Sequence, residues 1–147
     1  ATDQIAIDIS ATELMSVVTD LVELDATSIA ASDTLDVQTT DVTSAVDIDS
    51  ADTGSFIAFA GNYSSAAALQ ADIRSNLTVA GTFGAGDAFI GFYDDGSNTT
   101  MAVISTAAGI DNTLFSDGVV TDIAVLTGVT DAQDIATANI NSTLSIA

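Results

Sequence analysis

A single basic residue, Arg74, stands against 21 acids in this chain, and there is no Lys or His to assist it. Salt bridges can therefore hold very little together. At a formal charge of −20, self-repulsion must be relieved by salt, by bound cations or by spacing the charges apart. Disordered acidic tails are poor in apolar residues, whereas this chain is 48% hydrophobic with a mean hydropathy of +0.46, so it reads as folded. Only Glu13 and Glu23 are Glu and the other 19 acids are Asp, a residue that favours turns, caps and calcium loops over helix interiors. The acid is expected at the ends of elements.

A length of 147 residues fits one domain, 1–147. The absence of Cys argues against a small disulfide-stapled module and fits bacterial exported proteins that avoid thiols. No apolar run approaches the length of about eighteen residues that a membrane span needs, and the N-terminus lacks a basic flank with an apolar core. The expectation is a soluble chain that is mature, cut, or exported by another route. Pro is also absent, which removes one device that blunts sheet edges. Edge strands must be guarded by Asp or used for assembly.

Along the chain, Ile5–Ile9 alternates as a strand, and Ser10-Ala-Thr-Glu13 is a capping-box signature opening a helix. Leu14, Val17, Val18, Leu21 and Leu24 follow at helical spacing, as on a core-facing helix. Residues 34–38 and 45–49 alternate as half-exposed strands, and Ser55–Ala60 reads as a buried strand between Gly54 and Gly61. Ser64 to Asn76 predicts a helix with Leu69, Ile73 and Leu77 on one face. Leu77–Phe83, a hairpin across 86–105, Val119–Val129, a short helix begun by Thr130-Asp-Ala-Gln133 and a terminal strand Thr143–Ile146 complete the pattern. Strands outnumber helices. The expected fold is mainly β, an antiparallel β-sandwich with two or three short helices.

The missing His, Cys and Lys remove Ser-His and Cys-His nucleophile pairs, Schiff-base chemistry and the usual transition-metal ligands. A carboxylate pair for glycoside hydrolysis lacks its aromatic platforms, since there is no Trp and only Tyr63 and Tyr93. The chain reads as no enzyme. A charge of −20 repels nucleic acid and phosphate ligands alike.

Hard-cation chemistry is what the composition does support, because Ca²⁺ takes six to eight oxygen ligands. Asp47, Asp49 and Asp52 lie close to Gly54, although the closing Glu of an EF-hand loop is missing, so a polar strand end is the alternative. Asp94-Asp95-Gly96-Ser-Asn98 joins two apolar strands and reads either as a tight hairpin turn or as a second cation site. Asn62, Asn76, Asn98 and Asn141 each begin an N-glycosylation sequon, a pattern that chance produces in a Ser/Thr-rich chain.

The segment 86–110, GDAFIGFYDDGSNTTMAVISTAAGI, followed by Val125-Leu-Thr-Gly-Val-Thr-Asp-Ala-Gln-Asp-Ile135, resembles the C-terminal region of large bacterial proteins exported by type I secretion. These are surface-layer proteins, giant adhesins and matrix-filament proteins associated with calcium. The similarity covers roughly residues 66–146, and the Asp-rich, Lys- and Cys-poor composition agrees with it. It implies an extracellular or cell-surface location and an uncleaved C-terminal export signal. The calcium-binding Gly-Gly-x-Gly-x-Asp nonapeptide of many such relatives does not occur.

Two roles are expected from these features. One is a secreted structural protein that self-assembles with copies of itself into a layer, filament or matrix fibre, using Pro-free β-edges such as Ile5–Ile9 or Thr143–Ile146, with calcium as the ion. The other is a monomeric, calcium-dependent adhesin or carbohydrate-binding module that engages a cell-surface glycan.

Overall fold

The computed structural model describes residues 20–22, 36–48, 56–79, 81–111 and 113–137. The run Phe89–Phe92 carries no polar side chain, and it forms the middle of the main sheet. Its strand, β7 (Asp87–Asp94), is buried from Ala88 to its end on both faces. One edge of β7 pairs antiparallel with β8 (Asn98–Thr106), which pairs antiparallel with β10 (Gly118–Thr127). The other edge carries two parallel strands end to end. β1 (Asp20–Leu21) lies against Asp87 and Ala88, and β4 (Phe56–Asn62) lies against β7 from Ile90 onward. β2 (Val37–Thr40) extends β4, also in parallel.

The chain is thus mainly β, with 53% of the described residues in strands, but its six-stranded sheet is mixed rather than antiparallel. The reason lies in one helix. After β4 the chain passes through α1 (Ala66–Asn76) and returns to lay β7 beside β4, and a crossover of this kind makes the flanking strands parallel. Two small sheets complete the described strands: β3 (Val46–Ile48) with β5 (Leu77–Val79) in parallel, and β6 (Thr82–Phe83) with β9 (Ile110–Asp111) antiparallel. The expected strand 77–83 is therefore split at Gly81, whose φ of +87° turns the chain.

Helix α1 follows its sequence signals. Ser65 caps it, its hydroxyl accepting from the Ala68 N–H at 3.4 Å, and Leu69, Ile73 and Leu77 are fully buried. The helix expected across 14–24 is corrected where it is described: Asp20 and Leu21 are strand, and the Val22 N–H donates to the Ala88 carbonyl at 2.9 Å. β-Branched Val is compatible with helical spacing but suits a strand better, and a place on the edge of β7 decides the matter. Residues 1–19 and 138–147, including the expected strands Ile5–Ile9 and Thr143–Ile146, lie outside the described residues. The short helix after Thr130 is a 3-10 turn, Ala132–Asp134, capped by Asp131, whose carboxylate accepts from the Gln133 N–H at 2.9 Å.

Strand alternation sorts the core into two clusters, one on each side of the sheet. Phe59, Phe89 and Ile104 join α1 and the small sheets, where Phe83, Phe89 and Phe115 meet edge to face with centroids 5.8–6.3 Å apart. Phe56, Ile90, Phe92 and Val103 join Ala132 and Ile135 on the other side. Gly91 sits at a tight point of the first cluster. A Cβ there would lie 2.5 Å from Ile104 Cδ1 and 2.7 Å from Phe59 Cε2. Gly91→Ala is expected to lower unfolding stability by about 1–3 kcal/mol through overpacking, measured as a lower denaturation midpoint at unchanged m-value.

Candidate functional site

The hairpin between β7 and β8 gathers more polar contacts than its length requires. Asp95 Oδ1 accepts from the N–H groups of Ser97 and Asn98, each at 2.8 Å, closing an Asx turn around Gly96, whose φ is +82°. These bonds, Asn98's first and Ser97's second, hold the Asp95 carboxyl below the usual range. Asp94 is different, because it is a carboxylate only 3% exposed. Its Oδ1 accepts from the Gly96 N–H and its Oδ2 from the Ala132 N–H, both at 3.0 Å. Its backbone carbonyl accepts from the Tyr63 N–H at 2.7 Å.

The second half of the resemblance docks on this turn. Asn98 Oδ1 accepts from the Gly128 N–H at 3.2 Å, and the Thr99 hydroxyl donates to the Val129 carbonyl at 2.9 Å. The stretches around Asp94–Asn98 and Leu126–Ala132 therefore form one clasp, in which a buried carboxylate satisfies the start of the 3-10 turn. Neither stretch shows this alone.

Of the five residues expected as calcium ligands, Asp94 and Asp95 are adjacent and direct their carboxylates to backbone amides. Asp47 is exposed on β3, in a different sheet. Asp49 and Asp52 lie outside the described residues. Among the described residues no three acidic groups converge as a metal site would need. Of the sequons, Asn98 is committed to the clasp and the Asn76 amide donates to the Val42 carbonyl at 2.7 Å, whereas Asn62 is exposed.

Other residues matter that their sequence context did not mark. Helix α1 grips the outer edge of β10: Gln70 Oε1 accepts from the Val120 N–H at 3.0 Å, and Arg74 Nε donates to the Gly118 carbonyl at 2.6 Å. The chain's one base is thus spent on a carbonyl. Tyr93 donates to Asp122 Oδ1 at 2.8 Å; burial, then that bond and the charge of Asp122, push its hydroxyl up to about 12. Burial, then the charge of Asp72, raises the Tyr63 hydroxyl further still.

Two expectations follow from this chemistry. Asp94→Ala strands two amides, one of them buried at Ala132, and is expected to cost about 1–3 kcal/mol of stability. The loss should be the same in excess EDTA as in millimolar calcium, and a loss seen only with calcium would restore a cation to Asp94. The tyrosines provide the second. Both folded-state values lie above the ordinary one of about 10, so their contribution is complete below that pH and is lost as pH rises through the raised values. Absorbance titration should show no phenolate step near pH 10, only a late one that coincides with alkaline unfolding.

Comparison with protein-family models, curated proteins and solved structures finds no match for this chain.

Proposed function

We propose that this chain is a secreted structural protein of the bacterial surface, assembling with its own copies into a layer, filament or matrix fibre. The observation that carries this reading is the far half of β10. Among the described residues this strand pairs with β8 alone, and beyond the grip of α1 it presents Ile123 at 40% and Val125 at 60% exposure. From Ala124 to Thr127 it keeps regular register with β8, so its outer edge offers a neighbour a row of backbone groups beside apolar side chains. The absence of His, Cys and Lys agrees with a structural role rather than an enzymatic one. Among the described residues no helix is long and apolar enough to cross a membrane.

A sandwich, of mixed rather than antiparallel sheets, belongs to the same proposal. The β7–β8–β10 half of the sheet is antiparallel, and the β3–β5 and β6–β9 pairs, whose Ile48, Val79 and Phe83 join its core, would supply the second layer. Calcium is the proposed ion, with Asp47, Asp49 and Asp52 as its first candidates, since Asp94 and Asp95 are engaged in the turn. A second reading, the monomeric glycan-binding or adhesive module, is favoured by the bulge at Ile123 and by the clamp on Gly118–Val120, both of which guard an edge against pairing.

Size-exclusion chromatography and electron microscopy with and without calcium separate the two. Assembly predicts polymers, and Val125→Lys, a charge placed on the open edge, should reduce them to monomers without lowering the melting temperature. A compact monomer at every calcium concentration overturns the assembly reading.

A further inference from the structure

The bulge in β10 changes which residues turn their backbone groups away from β8. Before it, the Gly118 carbonyl and the Val120 N–H point outward, and Arg74 and Gln70 of α1 take them. The register shift between Asp122 and Ala124 moves the alternation by one residue. Beyond it Val125 and Thr127 turn their N–H and C=O groups outward, while Ala124 and Leu126 face β8. Among the described residues nothing bonds the outward groups of Val125 and Thr127. Of the large apolar side chains exposed among those residues, Leu114, Ile123 and Val125, two stand on this stretch.

Charge limits what can cover this edge. Residues 123–129 contain no acid, in a chain of 21 acids and one base whose copies repel one another. A cationic partner finds no counter-charge here and is drawn to the acidic remainder. A second copy that presents the same acid-free stretch meets the least repulsion at this edge. Asp122 then decides the orientation. Two copies laid parallel and in register would set Asp122 beside Asp122, a like-charge pair directly across the ladder. Laid antiparallel about Val125, they match residues 123–127 end to end, with Val125 opposite Val125 and Thr127 opposite Ile123. Each Asp122 then falls against the partner's Gly128. That glycine has a φ of +86°, which turns the chain off the strand, and no atom stands within 4 Å of where a Cβ would be. A slide in either direction takes acid-free strand residues off their partners.

We propose that two copies pair antiparallel through β10, Val125 on Val125, joining their sheets into one with six strands from each copy. The pairing rests on the assembly reading and names its contact. Opposed Val125 residues exchange N–H and C=O bonds, and their exposed side chains cover each other on one face. An isologous contact closes on two copies, so a layer or fibre needs a second contact, which pairs make with the avidity of two and single chains do not.

The chain has no Cys, so one introduced thiol reports the contact without interference. Variants of the 147-residue chain are oxidised with copper phenanthroline and air, then separated on a non-reducing gel. Salt of about 1 M, where the screening length is about 3 Å, relieves the repulsion. Val125→Cys should give a reducible dimer at about ten times the yield of Leu114→Cys, because opposed strand residues lie within disulfide reach. In this register the two Thr127 positions are about 13 Å apart, four residues at about 3.3 Å each, so Thr127→Cys should stay at the Leu114→Cys level. Melting curves establish that each variant is folded. Val125→Cys crosslinking no better than Leu114→Cys, or Thr127→Cys crosslinking as well as Val125→Cys, overturns the pairing. Polymers seen by electron microscopy without the Val125→Cys crosslink overturn the pairing and leave assembly standing on another surface. The crosslink without polymers upholds the pair and removes the layer or fibre.

Discussion

The structure depends on one interaction repeated in different places: an Asp carboxylate accepting from a backbone N–H or a hydroxyl of its own turn. Asp41 takes Thr43, Asp87 takes the Gly84 N–H, Asp95 takes Ser97 and Asn98, and Asp131 takes Gln133. Asp117 does the same for a turn other than its own, accepting from the Thr106 hydroxyl and the Ala108 N–H between β8 and β9. In a chain with one base these donors do what Lys and Arg do elsewhere, and they do it without another long side chain to order. The short stem of Asp is what allows the reach, since its oxygens meet N–H groups two or three residues on. Glu would overshoot, which gives a physical reason for the excess of Asp.

The same interaction at longer range makes the clasp. Asp94 and Ala132 are 38 residues apart, and their bond ties the central strand of the sheet to the turn that packs on its second face. A buried carboxylate needs full satisfaction, and here amides supply it from both sides. Asp94 is almost fully buried, and the exclusion of water raises the cost of losing either bond.

Local signals were legible where a single element carried them. The Ser65 cap and the Leu69–Ile73–Leu77 face located α1, Gly96 between Asp and Asn located the hairpin turn, and Thr130-Asp131 located the 3-10 turn. What escaped was whatever depended on partners distant in sequence. Nothing in the text of β4 or β2 says that they run parallel, and the leucine spacing around Leu21 could not show that the edge of β7 was open to it. The candidate site divides in the same way. The Asp-Asp-Gly motif was plain, but whether Asp94 meets a cation or an amide was decided by Ala132. Tyr63 was marked only as one of two tyrosines, because its burial beside the turn at Asp94 exists only once the fold has closed around it.

The two edges of the main sheet show how a chain without Pro or Lys manages exposure. At β2, the Val37 N–H donates to the Thr137 hydroxyl at 3.2 Å, so part of that edge is covered by the segment after the 3-10 turn. At β10, Gln70 and Arg74 occupy the first outward-facing donor and acceptor, and Asp122 sits where the bulge begins. Among the described residues protection is therefore graded along β10, firm at Gly118–Val120 and absent by Val125. Such a gradient permits pairing at one end while fixing its register, because a neighbour can run along the strand only as far as the bulge and the helix allow. Repulsion between chains of charge −20 opposes the same contact until salt or a divalent cation screens it. In the proposed assembly, edge geometry would set where two copies meet and ion supply when.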